Sequence, residues 1–572
     1  MVDDGRTLSR RRFLTGATAL GALAWIPACR VPPVRVQNCV TPPDFPPSIP
    51  LVQETFINWS REIALEPAWV CTPHTPADIV TIANWAFKNG YRIRARGASH
   101  TWSPLIVAPA STCATEVVLV DTTRHLTAVA IAPGVVTAQT GVRMETLLTL
   151  LEEAGYGVVA APAPGDVTLG GVLAIDAHGT AVPAAGEVRI PGTTYGSLSN
   201  LVLSVTAVVW DAGQGQYVLR TFLRSDPQCG VFLAHIGRAF LTEVSLQVGA
   251  NYRLRCQSHV SIPARELFAA PEAGAEHTFA SYVERTGRAE AIWFPFTDNP
   301  WLKVWTRAPT RPPRARRVWH PFNYPFSDTL PASLSALASQ IQAGAGPLTP
   351  VFGLAQYNAV AAGLVTTLSL DLWGWSKDLL LYVRPTTLRI TANGYAVLTR
   401  RSDIQRVVSD FTAYYQDRLA AYRARDQYPM NGPVEIRVTG LDVPTDVDEG
   451  MAAPPVLSAV RPRPDHPEWD VAVWLDVLTI PGTPYATQLY HEIETWLFSH
   501  YGDAAVRPEW SKGWAYTDDA AWMSRPILTR TIPDAYRAGQ SASDNWDWAV
   551  ATLDAYDPHR IFSNGFIDTL LP

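Results

Sequence analysis

The segment from Arg94 to Trp102 concentrates side chains that could hold a phosphorylated cofactor, since it reads Arg-Ala-Arg-Gly-Ala-Ser-His-Thr-Trp. Glycine lets backbone N–H groups approach a phosphate closely, and arginine neutralises the charge of a pyrophosphate. A neutral imidazole is also a nucleophile, so His100 could bond covalently to the electrophilic 8α-methyl position of an oxidised flavin. A lone histidine more often caps a loop, but the flanking Arg-x-Arg-Gly and a second glycine cluster favour the flavin.

That second cluster covers residues 162–171, which read Pro-Ala-Pro-Gly-Asp-Val-Thr-Leu-Gly-Gly, and continues with Ala177-His178-Gly179-Thr180. The prolines restrict the approach of the chain, and the glycines permit close backbone contact. The Thr168 hydroxyl could bond a ribityl or phosphate oxygen. The predicted cofactor-binding residues are Arg94, Arg96, Gly97, Ala98, Ser99, His100, Thr101, Pro164, Gly165, Asp166, Thr168, Gly170, Gly171, His178 and Gly179.

A helix followed by a strand should position the first loop. Thr75 can cap the helix, with Pro76 at its first position, and Gly90 can end it. Tyr91 to Arg96 is then predicted to be a strand. Because ligands of α/β units bind just beyond strand ends, His100 is expected at such a site.

Several segments resemble one known family of flavoproteins. Arg94–Trp102, Pro164–Gly171 and His178–Gly179 resemble the flavin-binding loops of the vanillyl-alcohol oxidase and p-cresol methylhydroxylase superfamily. Within it, four later segments resemble the covalently flavinylated, type II cholesterol oxidases of bacteria: Glu290–Phe296, Asp371–Lys377, Pro433–Val438 and Arg507–Lys512. The resemblance runs from about Pro43 to the C-terminus. It implies FAD bonded to His100, a sterol substrate and O2.

Two charged residues are candidates for the reacting centre. Glu435 and Arg437 lie two apart on a predicted strand, Val434–Thr439, so both should face the same side. Arg437 could stabilise an alkoxide or the reduced flavin, and Glu435 could pair with it. Such a pair on its own is more often a weak surface salt bridge.

The resemblance implies that further residues belong to this site. It adds Glu290 and Lys512, and it leaves the catalytic base open among Glu290, Glu435 and Glu509. A rigid, flat, apolar sterol requires a deep hydrophobic cavity with few polar groups. The candidate lining residues are Trp293, Phe294, Phe296, Trp373 and Trp375.

The function implied by the resemblance is oxidation of a 3β-hydroxysterol to a 3-ketosteroid, with double-bond isomerisation and reduction of O2 to H2O2. The alternative is an oxidase of a sugar, alditol or phenolic alcohol, whose site should carry more charged and amide side chains. A third hypothesis is an exported, non-catalytic binding protein. Transient contact with a membrane surface would let the protein extract a sterol, and the oligomeric state stays open.

The length, the net charge and the incomplete motifs of the chain exclude several classes of function. The 572 residues are too many for one core, and the net charge of −6 implies no basic face for nucleic acid. The six cysteines form no C-x-x-C motif, so no metal site is expected. Near matches to a hydrolase elbow at Gly97–Thr101, a zincin helix at His491 and a calcium loop at Asp442–Glu449 each lack a required residue.

The fold class is predicted to be α+β, with an α/β flavin-binding domain and a substrate domain built on a large mixed or antiparallel sheet. The predicted divisions are residues 1–30, a twin-arginine signal peptide; 31–50, a proline-rich linker; 51–255, the FAD-binding domain; 256–525, the substrate domain; and 526–572, a segment returning to the FAD domain. Ser9–Leu14 matches the twin-arginine motif and predicts secretion. Lipid anchoring at Cys29 is disfavoured, because proline lies two residues before it.

Overall fold

The structure is a computed structural model that describes residues 39–113, 115–272, 274–324, 331–382, 389–447, 452–502 and 504–572. From Cys39 to Pro572 the chain forms one unit. The predicted signal at Ser9–Leu14, the apolar stretch after it and Cys29 lie outside the described residues, as does Glu449 of the acidic loop.

The first sheet carries the predicted cofactor loop. Among the described residues its four strands are, in spatial order, Leu51–Ile57, Ala64–Cys71, Val117–Asp121 and Arg92–Arg96. The last three are parallel. The preceding helix, Pro76–Asn89, has the predicted Thr75 cap with a reciprocal bond from Asp78, and Gly90 ends it in the left-handed conformation at φ 70°.

A second sheet packs beside the other cofactor loop. Its described strands, all antiparallel, are in spatial order Val129–Ala132, Val135–Gln139, Phe240–Gln247, Val202–Asp211 and Gln216–Leu223. The helix Met144–Glu153 buries an apolar stripe formed by Met144, Leu147, Leu148 and Leu151. A short antiparallel pair joins Tyr156–Gly157 to Gly249–Ala250.

The third sheet is the large mixed sheet expected for the substrate half. Its nine strands in the described part of the chain are, in spatial order, Arg316–Arg317, Asp371–Trp375, Arg253–His259, Trp301–Arg307, Ala289–Trp293, Val434–Gly440, Val471–Thr479, Thr391–Thr399 and Val506–Pro508. One pairing, Arg316–Arg317 with Asp371–Trp375, is parallel and the rest are antiparallel. Val471–Thr479 is buried along its whole length.

Helices cover the sheets and fill the connections. The remaining described α-helices are Leu169–Ala174, Gly230–Leu233, Ala264–Leu267, Phe279–Thr286, Ala332–Gln342, Thr349–Thr366, Ser376–Leu380, Ile404–Arg423, Ala486–Tyr501, Ile532–Arg537, Trp546–Tyr556 and Gly565–Leu570. Short 3-10 turns occupy Leu198–Leu201, Pro227–Cys229, Gly346–Leu348, Arg401–Asp403 and Pro444–Asp446, and Ile527–Thr531 is a π-helical turn.

The two ends of the described chain pack on the first sheet. Ile93 donates its backbone N–H to Ile561 O at 2.8 Å, and Arg92 pairs with Asp568 at 2.7 Å. These contacts bring the C-terminal segment beside the strand that carries the first loop. The domain boundaries themselves stay predictions.

Residues 39–50, the described part of the predicted linker, pack against the rest of the protein. Cys39 forms a disulfide with Cys113, the Phe45 ring packs against Trp85 at 4.8 Å, and Ile49 is buried. The prolines restrict the backbone of this segment, which makes turns at Pro43–Asp44 and Pro47–Ser48.

Candidate active site

One cavity of about 440 Å³ joins both predicted loops to the large sheet. Such a volume is typical of small-molecule and cofactor sites. It is lined by residues of the loops at 94–102 and 162–178 and by residues of the strands Ala289–Trp293 and Val434–Gly440. The predicted cofactor and substrate regions therefore share a single space.

His100 lies in this cavity between aromatic rings. Its imidazole is tilted against Trp59, with ring centroids 5.1 Å apart, and meets the Trp102 ring edge-on at 6.0 Å. Burial lowers the pKa of His100 to about 4, and nearby Lys512 lowers it as well, although Asp166 opposes the change. The imidazole is therefore neutral near pH 7, which is the form that can act as a nucleophile.

The two arginines of the first loop have structural partners. Arg94 lines the cavity, but its guanidinium donates to the carbonyls of Leu105 and Ile106. Arg96 is absent from the described cavity lining and pairs with Glu54 at 2.7 Å. Glu54 belongs to the strand at the opposite edge of the sheet, Leu51–Ile57, and the prediction that Arg96 binds the cofactor stays a prediction.

The remaining loop residues divide into two groups. Those that line the cavity are Gly97, Ala98, Ser99, Thr101, Pro164, Thr168, Gly170, Gly171 and His178. Gly165, Asp166 and Gly179 are not among the described lining residues. Gly165 donates its N–H to the Tyr382 carbonyl at 2.8 Å, so its role there is to hold the loop.

The two glycine loops touch each other. A Cβ placed on Gly97 would lie 2.2 Å from Thr168 Oγ1, and one on Gly170 would lie 2.8 Å from the Thr140 Cβ. Thr168 also caps the helix Leu169–Ala174 by accepting from the Gly171 N–H at 3.3 Å. The glycines thus let the loops pack closely, and Gly97, Gly170 and Gly171 also line the cavity, where their backbone fits the close approach of a phosphorylated cofactor beside the neutral His100.

Register brings the predicted reacting residues together. Glu290 lies directly opposite Arg437, and Ile292 lies opposite Glu435, on adjacent antiparallel strands. Arg437 pairs with Asp476 and lies 3.7 Å from Glu435. Glu290, Glu435, Arg437, Glu509 and Lys512 all line the cavity, so the structure assembles the whole predicted set.

Burial and the charges of neighbouring groups shift the pKa values of these residues in different directions. Burial raises the pKa of Glu435 above its usual range, partly opposed by Arg437. Burial also raises the pKa of Glu509, but Lys512 at 3.9 Å and His178 outweigh it and hold that pKa below its usual range. For Arg437, burial lowers the pKa, yet Asp476 and the other carboxylates raise it above the ordinary arginine value. Arg437 is therefore a permanent cation.

The apolar residues that line the cavity differ from the predicted ones. Of the five candidate aromatics, only Phe294 is among the described lining residues. The Trp293 indole donates to the Thr297 carbonyl, Phe296 packs against Tyr428, and Trp373 and Trp375 pack around Arg253. The error has a simple cause, since alternate residues of a strand face opposite sides. The apolar lining instead includes Ile292, Trp301, Phe322, Leu334 and Val360.

Three functional neighbours were missed from the sequence. Lys303 donates to Glu290 at 3.3 Å, and the Trp474 ring stacks on His178 with centroids 3.6 Å apart. Asp476 is fully buried between Arg437 and Lys512. A signal for Asp476 existed, because a single carboxylate within the apolar run Val471–Thr479 is costly unless it is paired.

Comparison with known proteins places this geometry in a family. Residues 67–214 match the family model described as "FAD binding domain", and residues 253–572 match the one described as "Cholesterol oxidase, substrate-binding". The chain belongs to the cholesterol oxidase family. Among curated proteins, no sequence matches this chain.

Solved structures of cholesterol oxidases agree with this assignment. A structure titled "Solvent-stable cholesterol oxidase" is 57% identical with a TM-score of 0.92, covering 93% of this chain and 100% of its own. The cholesterol oxidase of Brevibacterium sterolicum is 47% identical with a TM-score of 0.91, covering 94% of this chain and 100% of its own.

Family membership decides between the competing hypotheses. As a member of the cholesterol oxidase family among the vanillyl-alcohol oxidase and p-cresol methylhydroxylase flavoproteins, the protein is an FAD-dependent oxidase that acts on a sterol alcohol. The sugar, alditol or phenol alternative and the non-catalytic binding protein lose their support. The predicted fold class, with a flavin-binding half and a large-sheet substrate half, is confirmed.

Proposed function

We propose that the protein is a secreted oxidase that converts 3β-hydroxysterols such as cholesterol to 3-ketosteroids, isomerises the double bond and reduces O2 to H2O2. FAD bonded to His100 is the proposed cofactor. The observation that carries the proposal is the shared cavity. Its lining combines a neutral imidazole among glycines, a cluster of charged side chains and the apolar side chains that a sterol requires.

Bound FAD would supply the group that accepts the hydride of the carbinol carbon and then passes these electrons to O2. The chain supplies the proton chemistry. Glu435 is the best candidate to accept the hydroxyl proton, because burial brings its pKa nearer to neutrality. Glu509 is a weaker base, since Lys512 and His178 hold its pKa low.

Arg437 is proposed to donate to the substrate oxygen as negative charge develops there. A permanent buried cation is preorganised for this task and requires no movement at the moment of reaction. Glu290, which accepts from Lys303 and lies opposite Arg437, is proposed to move the proton during isomerisation. On this proposal Glu435 accepts the proton in the oxidation step and Glu290, on the same face of the sheet, moves the proton in the isomerisation step.

His100 is proposed as the covalent attachment point because its neutral form persists down to a low pH. Its pKa of about 4 leaves the ring nucleophilic throughout the neutral range. The ring is held between Trp59 and Trp102, which limits its rotation. The neighbouring Gly97 brings the backbone of the loop close to the cavity.

Export through the twin-arginine pathway is proposed from Ser9–Leu14. That route carries folded proteins, so FAD could be attached before export. The Cys39–Cys113 disulfide supports residence in an oxidising compartment.

Transient contact with a membrane surface is proposed for the helix Thr349–Thr366. Among the described helices, residues 346–366 alone are apolar and long enough to span a membrane, a test that core helices of soluble proteins also pass. Val351, Leu354 and Val365 are exposed on this helix, while Val360 lines the cavity. An apolar outer face beside a sterol cavity suits withdrawal of a sterol from a membrane.

The proposal is tested with purified holoprotein and a substrate panel. Anaerobic mixing with a 3β-hydroxysterol should bleach the flavin, whereas an alditol and a phenolic alcohol should not. Admitting O2 should then yield H2O2 and a conjugated ketone. Glu435→Gln should slow the anaerobic step. Flavin bleaching by the alditol but not by the sterol would overturn the proposal.

A further inference from the structure

Asp476 occupies a central place in a row of cross-strand neighbours that includes the cavity-lining Glu435. Cross-strand register aligns Glu435 opposite Asp476 and Asp476 opposite Gly394. Glu509 follows at the next strand, where its N–H bonds the Gly394 carbonyl at 3.0 Å. Two acidic residues therefore flank a glycine across the sheet.

The missing side chain of Gly394 creates the space in which these acids meet. A Cβ placed there would lie 2.5 Å from Asp476 Oδ1 and 3.2 Å from Glu509 Oε2. Both oxygens are buried, and among the described residues neither has a hydrogen-bond partner. Two ionised carboxylates could not satisfy each other, because an ionised carboxylate has no donor.

We propose that Asp476 and Glu509 share one proton across the gap at Gly394, with Asp476 as the neutral acid that donates to Glu509 and positions Arg437. The charges of the site agree with this assignment. In the described cluster, four carboxyls, those of Glu290, Glu435, Asp476 and Glu509, face three permanent cations, Lys303, Arg437 and Lys512. The His178 ring, 3.9 Å from Glu509, is not a permanent cation, so one stored proton balances the carboxyls against the permanent cations.

The directions in which the pKa values of the two carboxyls are shifted agree with a proton on Asp476. Burial, and then the charge of Glu509, raise the pKa of Asp476 well above its usual range, against Lys512 and Arg437. Lys512 and His178 keep Glu509 ionised. The remaining oxygen of Asp476 accepts from Arg437, so the neutral acid bridges Glu509 and the guanidinium. Asp476 is a positioning residue that acts through Arg437.

The inference goes beyond the proposed function, and its first test needs no substrate. Infrared spectra of the holoprotein should contain the carbonyl bands of protonated acids near pH 7, one of which belongs to Asp476. Burial also raises the pKa of Asp442 and of Glu494 to about 7, so the Asp476 band is identified as the component that the parent has and Asp476→Asn lacks. Asp442→Asn, which alters a buried carboxyl bonded to Ser197 and Ser458, should remove a different component and leave the Asp476 component in place. A difference spectrum between the parent and Asp476→Asn without a protonated-acid component would overturn the proposal.

Rates provide the second test. Asparagine has the shape and donor of a neutral aspartic acid, so Asp476→Asn should reduce flavin at least about 10-fold faster than Asp476→Ala, which leaves partners unsatisfied. In the parent, reduction should slow at high pH as the shared proton is lost, and Asp476→Asn should lose this alkaline decline. If the asparagine variant were as slow as the alanine variant, Asp476 would be an ionised counter-ion and the proposal wrong.

Gly394→Ala keeps every charge and fills the gap, and its Cβ would also press on the Lys512 side chain, 2.8 Å from Cγ. It should weaken the Asp476 band and shift the alkaline decline to lower pH, because the separated carboxyls no longer share a proton. An unchanged band and pH profile in this variant would also contradict the proposal, even if both Asp476 variants failed to fold.

Discussion

Glu290 and Arg437 lie directly opposite each other on adjacent antiparallel strands, although they are far apart in the sequence. The pairing places a carboxylate and a permanent cation on one wall of a cavity that also contains His100. The chemistry of the site thus depends on strand register. A shift of either strand by one residue would turn its charged side chain away from the cavity and break the pairing.

Changing His100 to Ala should leave FAD dissociable by acid, because no other nucleophile of the first loop replaces the imidazole. The flavin of the variant should have a lower reduction potential and turn over more slowly. Visible absorbance of the acid-precipitated polypeptide measures the attachment. His178→Asn, which changes another cavity histidine, should keep acid-stable flavin. Acid-stable flavin in His100→Ala would place the linkage elsewhere.

Attachment should also depend on pH in a defined direction. Since burial depresses the pKa of His100 to about 4, the imidazole is neutral above that pH and protonated below it. Incorporation of FAD into apoprotein should therefore be constant from pH 6 to 8 and slow as the pH falls towards 4, within the range where the apoprotein stays folded. A decline centred near the ordinary histidine value of about 6.5 would contradict the burial argument.

Changing Arg437 to Ala should slow anaerobic flavin reduction by about 10²–10³-fold, the usual cost of losing a preorganised charge. Lysine should restore only part of the rate, because it keeps the charge but loses the planar fork. Stopped-flow mixing with a sterol measures both. Arg253→Ala is the matched control, since that guanidinium packs between Trp373 and Trp375. Reduction within a few-fold of the parent would remove Arg437 from the reacting centre.

Changing Gly97 to Ala should lower FAD content, because the new Cβ would lie 2.2 Å from Thr168 Oγ1. Overpacking of this kind costs about 1–3 kcal/mol and would push the two cofactor loops apart. The ratio of flavin to protein absorbance measures the effect. Gly565→Ala should leave FAD content unchanged, since a Cβ there meets nothing within 4 Å.

Replacing Cys113 with Ser should lower the free energy of unfolding by about 3–5 kcal/mol, because the disulfide to Cys39 closes a long loop. Denaturant titration of the oxidised parent and the variant measures the difference. Cys71→Ser changes a buried cysteine outside the disulfide, and its cost should not depend on reductant. An equal midpoint for parent and Cys113→Ser would show that the disulfide does not form in solution.

Replacing Arg10 and Arg11 with Lys should leave active, flavin-containing enzyme inside the cell, because the paired arginines are the recognised feature of the signal. Activity in washed cells and in the medium measures the distribution. Unchanged secretion of the double variant would remove the twin-arginine proposal.

Local patterns determined much of the cofactor half. The helix Pro76–Asn89 with its Thr75 cap and Gly90 end, and the strand that follows it, were predicted because capping and chain reversal depend on adjacent residues. The period-2 argument for Glu435 and Arg437 is also confirmed, since both lie on one face of the strand Val434–Gly440.

Only the tertiary structure decided which residues share a space. In the structure, Trp293 and Trp373 are not among the described residues that line the cavity, Arg96 forms an ion pair with Glu54, and Asp476 lies beside Glu509. Sequence spacing describes neighbours along one element, whereas these contacts depend on register between strands and on packing between sheets. For that reason the sequence predicted which types of residue belong to the site, whereas the partners and the protonation states of these residues depend on the fold.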